Sequence, residues 1–248
     1  NFMDANDVPT SPLIVEGANL FNTHEAREGL RSKGVSIVKD SSANKCGVQC
    51  SSYEVQASMV LSSEDFMEHK SDLIADVLVK LRQAGNAEAE LLFREYANYP
   101  GSLPAFSERI SNAINKVTDA IYSKLEDLPK NDQLVKSLLP LVKENMPAKL
   151  AELRWEQVPD TFPLQYQKCA MASTLASKLV YQEGIHLVEA QPPDLIAERA
   201  IKYYFADTRM KSLVSDLEKK DLGVSATEKE EILDLLRKGG ARTAMDIF

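Results

Sequence analysis

Cysteine is scarce. Three residues in 248, an odd number, exclude a disulfide framework and suit a reducing compartment. No apolar run approaches the roughly 20 residues that a membrane-spanning helix needs, and the opening NFMDANDVPTSP has neither the basic start nor the apolar stretch of a secretory signal. The expectation is an intracellular protein, in cytoplasm or mitochondrion without distinction, and no membrane partner. Basic charge is in deficit. Twenty-nine Lys and Arg face 37 Asp and Glu, a net charge of −8, so the chain as a whole repels phosphate backbones and nucleic acid is not an expected partner. None of the 10 glycines falls in a G-x-G-x-x-G run, so the glycine turn that cradles a pyrophosphate is missing. His24, His69 and His186 are scattered, and Cys46 and Cys50 lack a standard zinc spacing, so no metal site is expected. The chain opens at Asn1 rather than Met, and its best-patterned strand starts at Leu13. That opening reads as a cut.

Apolar residues make up 44% of the chain, enough to fill a core in one or two domains. Two stretches read as strands, Leu13 to Glu16 (LIVE) and Val35 to Val38 (VSIV). Both are short and nearly continuously apolar, as strands covered on both faces are. Between them Asn22 is placed to cap a helix with Glu25 three residues on, Ala26 and Leu30 give it an inward stripe, and Gly34 can close it in the left-handed conformation. The unit is β-α-β, and its crossover makes the strands parallel. Two such strands leave open edges, so further strands must come from elsewhere.

From about Cys46 the apolar period is helical. Leu73, Ile74, Val77, Leu78 and Leu81 share one face, and Ile110, Ala113, Ile114, Val117, Ile121 and Leu125 recur every three or four residues. Pro140 should kink or end an apolar stretch from Leu134 to Val142, and Pro147, Pro159 and Pro163 punctuate the next twenty or so residues. Further helical patterns cover Gln165 to Val188, Pro193 to Lys220 and Glu228 to Lys238, with Gly223 and Gly239 as stops after the last two. The expected fold is mostly α with a small α/β piece at residues 1–60 and a helical region at 61–248, with a possible seam near 140–163.

Each strand runs into a small-residue turn that holds an asparagine: Gly17-Ala18-Asn19 after the first, Ser41-Ser42-Ala43-Asn44 after the second. Both asparagines lie at carboxyl ends of parallel strands, the edge where open α/β sheets bind ligands. An amide side chain offers donors and an acceptor to a carboxamide or to ribose hydroxyls, and Gly17 lets a ligand approach the backbone. The alternative is that both asparagines cap their own turns. After Asn44 a helix begins near Gly47, and Val48, Ser51, Val55 and Met59 share one face. Ser51 then points inward near the helix N-terminus, placed either to bind a carboxylate or to bond back to a carbonyl one turn earlier.

IVEGANLF, THEAR and VKDSSANKCGVQCSSYEV resemble the glutamate dehydrogenase family, in particular the large NAD-specific glutamate dehydrogenases, in order and over residues 12 to about 60. The helical remainder resembles the C-terminal helical part of the large class. The resemblance implies that residues 1–60 are the C-terminal part of a Rossmann-like NAD-binding domain. It implies that Gly17, Asn19 and Asn44 bind NAD, the asparagines at its ribose and nicotinamide end, and that Ser51 holds a carboxylate of glutamate. The implied reaction converts L-glutamate to 2-oxoglutarate and ammonia. The catalytic lysine and aspartate of the family belong to an upstream domain, so no catalytic residue is assigned here and the chain alone is expected to be inactive. Lys45 and Cys46 depart from the Asn-Ala-Gly-Gly run of the small glutamate dehydrogenases. The competing reading is a noncatalytic helical module for assembly or regulation. The open sheet edges lead to an expectation of a homo-oligomer.

Overall fold

A computed structural model describes residues 2–247, and the side chains of residues 2–241. The chain begins with β1 (Leu13–Val15), α1 (His24–Ser32) and β2 (Ser36–Val38). The strands pair in parallel with Leu13 opposite Ser36 and Val15 opposite Val38, as the crossover requires. Gly34 closes the turn after α1 at φ +85°. Among the described residues the sheet has these two strands.

Three local expectations need correction. Thr23, not Asn22, caps α1, its hydroxyl accepting from Ala26 N at 3.2 Å. Asn22 is drawn away because its amide donates to the buried Glu16 carboxylate. The inward residues of α1 are Arg27 and Leu30, while Ala26 is exposed, since an arginine with a buried acid to meet displaces an alanine that has none. Strand β1 is not covered on both faces: Leu13 and Val15 are exposed and only Ile14 turns toward the small core. Its continuous apolar character therefore describes an outer face open in this chain.

The remainder is helical: α2 (Asp40–Ala43), α3 (Lys45–Val60), α4 (Ser63–Asn98), α5 (Leu103–Leu125), α6 (Gln133–Leu138), α7 (Pro140–Asn145), α8 (Ala148–Arg154), α9 (Val158–Thr161), α10 (Leu164–Glu183), α11 (Ile185–Glu189), α12 (Pro193–Glu218) and α13 (Ala226–Ile247). The expected spacing on α5 holds throughout, with Ile110, Val117, Ile121 and Leu125 fully buried. This helix packs against α10 and α12 at the centre of the main core. Pro140 ends one short helix and opens the next, because its ring removes an N–H that only the first turn can spare. Leu141, Val142, Met146, Leu150, Val158 and Phe162, from the proline-punctuated stretch, are all buried in the main core. A small second core of Leu30, Val35 and Ile37 lies under the sheet. Gly239 is no stop: it lies inside α13.

Candidate functional site

The two asparagine loops meet. Asn44 Nδ2 donates to Asn19 Oδ1 at 2.8 Å, across 25 residues of chain. Asn19 follows β1 and Asn44 follows β2, so the bonded pair sits at the carboxyl rim of the sheet. Asn19 is exposed and Asn44 half-buried, and the shared bond leaves both amides further donor and acceptor capacity. Of the stretch expected as a turn, Ser41 to Ala43 belong to the single-turn helix α2, and Asn44 is the turn residue that joins it to α3. Gly17 is exposed, and a Cβ there would meet no atom within 4 Å. The space in front of it is open.

A buried polar cluster beneath the rim fixes this geometry. Arg27 holds Glu16 with two nitrogens, Nε at 2.9 Å from Oε1 and Nη2 at 2.7 Å from Oε2. Asn22 Nδ2 donates to Glu16 Oε1 at 2.8 Å, and Arg27 Nη2 lies 3.6 Å from Asp40 Oδ1. Asp40 Oδ2 in turn accepts from Leu20 N at 2.7 Å. That bond ties the first loop to the second and holds Leu20, a non-glycine residue, at φ +53°. Burial alone would raise the Glu16 carboxyl, but Arg27, Asn22 and the Asp40 N–H keep it below its ordinary value. The Leu20 N–H does the same for Asp40 against its burial, helped by the Ser41 N–H and Arg27. Lys39 and Asp40 thus serve structure: Lys39 pairs with Glu108 at 2.5 Å, and Asp40 braces the loops.

Gly47 belongs to the site as well. A Cβ there would lie 3.1 Å from Asn44 Oδ1, so the missing side chain leaves room for the amide in its present position. The sequence carried a signal for the cluster: an acid ending an otherwise apolar strand must find a partner once buried, and Arg27 lies in the intervening helix. It carried none for Gly47, whose role depends on the orientation of a neighbouring side chain.

Ser51 lies elsewhere than expected. It is exposed, on the same face as Val48 and Val55, and its hydroxyl donates to Gly47 O at 3.4 Å. The inward face of α3 is instead that of Gln56 and Ala57. Of the expected face, Val48, Ser51 and Val55 point outward, while Met59 at its far end packs against the main core. Cys46, Cys50 and Cys169 are free thiols, and no group of His, Cys, Asp and Glu among the described residues is arranged to hold a metal. No helix of the described residues is long and apolar enough to cross a membrane.

The model of the Glutamate/Leucine/Phenylalanine/Valine dehydrogenase family matches residues 3–102. Those residues belong to that family. The match takes in the β-α-β unit, both asparagine loops, α3 and α4. "Glutamate dehydrogenase 2" of Dictyostelium discoideum is 32% identical over 188 residues, 71% of this chain and 18% of the relative. "NAD-specific glutamate dehydrogenase" of Saccharomyces cerevisiae is 34% identical over 187 residues, 70% of this chain and 17% of the relative. A "Probable NAD-specific glutamate dehydrogenase" of Schizosaccharomyces pombe is 28% identical over 204 residues. These alignments exceed the segment matched by the family model, so the likeness reaches into the helical region. The chain spans less than a fifth of the length of the curated relatives it matches. No solved structure matches.

Proposed function

We propose that this chain is the C-terminal portion of an NAD-dependent glutamate dehydrogenase of the large type, an oxidoreductase that takes L-glutamate to 2-oxoglutarate and ammonia. The observation that carries the reading is the Asn44 to Asn19 bond at the carboxyl rim of a parallel strand pair, inside the segment that belongs to the family. In this reading residues 1–60 close the NAD-binding domain. Residues 61–248 form a helical region, in which the proline-punctuated stretch at 140–163, expected as a seam, is packed into the main core.

The amide pair orients the ribose and nicotinamide end of NAD, and Gly17 leaves the backbone open to it. NAD, when bound, supplies the hydride acceptor. Asn19 and Asn44 supply hydrogen bonds that fix the cofactor in one pose, the part of catalysis that lies in positioning. Ser51, in the second turn of α3 on its exposed face, meets a carboxylate of glutamate presented from outside this chain. Nothing within the 248 residues is assigned as the proton-transferring base. Turnover therefore requires residues beyond them, and the chain by itself is inactive.

The test compares two preparations. In the full-length enzyme, Asn44→Ala should raise the NAD Kd roughly tenfold, the loss expected for about one hydrogen bond to a ligand, as read by calorimetric titration. The 248-residue chain alone should give no NADH from glutamate and NAD. An unchanged Kd, or sustained NADH formation by the isolated chain, contradicts the proposal.

A further inference from the structure

Asn44 is flanked by two residues that hold one buried carboxylate. Ser42 donates its hydroxyl to Glu88 Oε1 at 2.5 Å, and Lys45 Nζ lies 2.8 Å from Glu88 Oε2. Glu88 belongs to α4 and is only 2% exposed. Tyr181, on α10, donates its hydroxyl to the same Oε2 at 2.8 Å, and Lys45 Nζ sits 5.3 Å above the Tyr181 ring. Burial, then the Glu88 charge, pushes the Tyr181 phenol up, so it remains a donor. Behind Ser42, the fully buried Ser107 of α5 brings its Oγ within 2.6 Å of Ser42 Oγ and 2.7 Å of Ser41 Oγ.

A carboxylate removed from water is tolerated only when paired and hydrogen-bonded. Glu88 meets that condition with donors from three elements, two of them immediately around Asn44. Its two carboxylate oxygens are a rigid unit, so Ser42 on one and Lys45 on the other are held at a fixed separation. Asn44 lies between them in the chain. The backbone of Asn44 is held by its own turn, its N–H donating to Asp40 O at 2.8 Å, but its side chain makes no bond to the helix it caps, and the turn itself is tied to the helical region through Ser42 and Lys45.

Resting on the reading of Asn44 as a cofactor residue, we propose that Glu88 is the positioning residue of the nicotinamide-side loop, fixing Asn44 through Ser42 and Lys45 and so setting the affinity for NAD from α4. A staple that served stability alone would lower the melting temperature and leave the NAD Kd of the folded enzyme unchanged. A positioning group changes that Kd, and does so only while Asn44 is present to be positioned.

The experiment is a double-mutant cycle in the full-length enzyme, with Glu88→Gln, Asn44→Ala and both together, read as NAD Kd by calorimetric titration and as glutamate KM at saturating NAD. Glu88→Gln should raise the NAD Kd roughly tenfold and leave the glutamate KM unchanged, and the double variant should bind NAD no more weakly than Asn44→Ala alone. Tyr181→Phe and Ser42→Ala, which each remove one bond and keep the charge pair, should each raise the Kd about twofold to threefold, and they carry the test should Glu88→Gln fail to fold. The inference is overturned, with the dehydrogenase reading intact, when Asn44→Ala weakens NAD binding and the Glu88, Tyr181 and Ser42 variants do not, or when the Glu88 and Asn44 effects multiply. An Asn44→Ala enzyme that binds NAD normally overturns both.

Discussion

A carboxylate buried at the end of a strand is costly, and Glu16 shows what makes it stable. Arg27 grips both its oxygens, Asn22 adds a further bond, and the Asp40 N–H lies 3.3 Å from Oε2. Removing one partner of such a pair leaves a desolvated charge, which costs more than the pair itself contributes. Arg27→Met should therefore destabilise the β-α-β unit by about 3–5 kcal/mol, and Glu16→Gln introduced beside it should restore a large part, both read from denaturant midpoints. The pH dependence has a definite sign. Glu16 and Asp40 are held below their ordinary carboxylate values in the folded chain, so their stabilisation is present above those ordinary values and is lost as pH falls through the lower folded ones. Stability should decline on acidification below about pH 4, and Glu16→Gln should flatten that decline. An equally steep acid limb in Glu16→Gln would show that other carboxylates carry it.

At the scale of elements, the helices were legible wherever an apolar stripe met a core of its own. The α5 stripe from Ile110 to Leu125 is buried in full, and Pro140 and Gly34 act as their chemistry requires. The errors at β1 and α3 have a common cause. Leu13, Val15, Val48 and Val55 are apolar at the right spacing yet exposed, because periodicity reports that a face is apolar and not what covers it. The candidate site was legible as far as the two asparagine loops; Glu88, Lys45 and Tyr181 were not, since their meeting depends on how α3, α4 and α10 pack. Glycines test this packing. Gly184, between α10 and α11, has φ +86° and ψ 172°, a region essentially reserved for glycine, and a Cβ there would lie 3.0 Å from Glu95 Oε1. Gly34 has a similar φ, but its Cβ would enter open space. Gly184→Ala should thus cost about 2–4 kcal/mol and Gly34→Ala about 1 kcal/mol. Equal losses in denaturant midpoint would mean that crowding against Glu95 contributes nothing.

The molecule as a whole has a main core assembled by helices and a separate small core of Leu30, Val35 and Ile37 beneath a two-stranded sheet. Strand β1 pairs with β2 alone among the described strands, so its outer edge has no strand partner, although the Ser11 hydroxyl meets Leu13 N and O and Gly17 N donates to Val15 O at 3.1 Å. On this edge strand Leu13 and Val15 are both exposed, and in the loop that follows it Leu20 and Phe21 are exposed too, Leu20 to 84%. An unpaired edge carrying apolar side chains is a template for another strand. The isolated 248-residue chain offers this edge to a second copy of itself. Sedimentation velocity should accordingly show concentration-dependent self-association of the wild-type chain. Val15→Lys should suppress it by placing a charge on the outer face of the edge strand, while leaving the helical core intact by circular dichroism. A wild-type chain that stays monomeric would overturn this expectation, whereas association untouched by Val15→Lys would place the self-interaction outside the sheet, on the helical region.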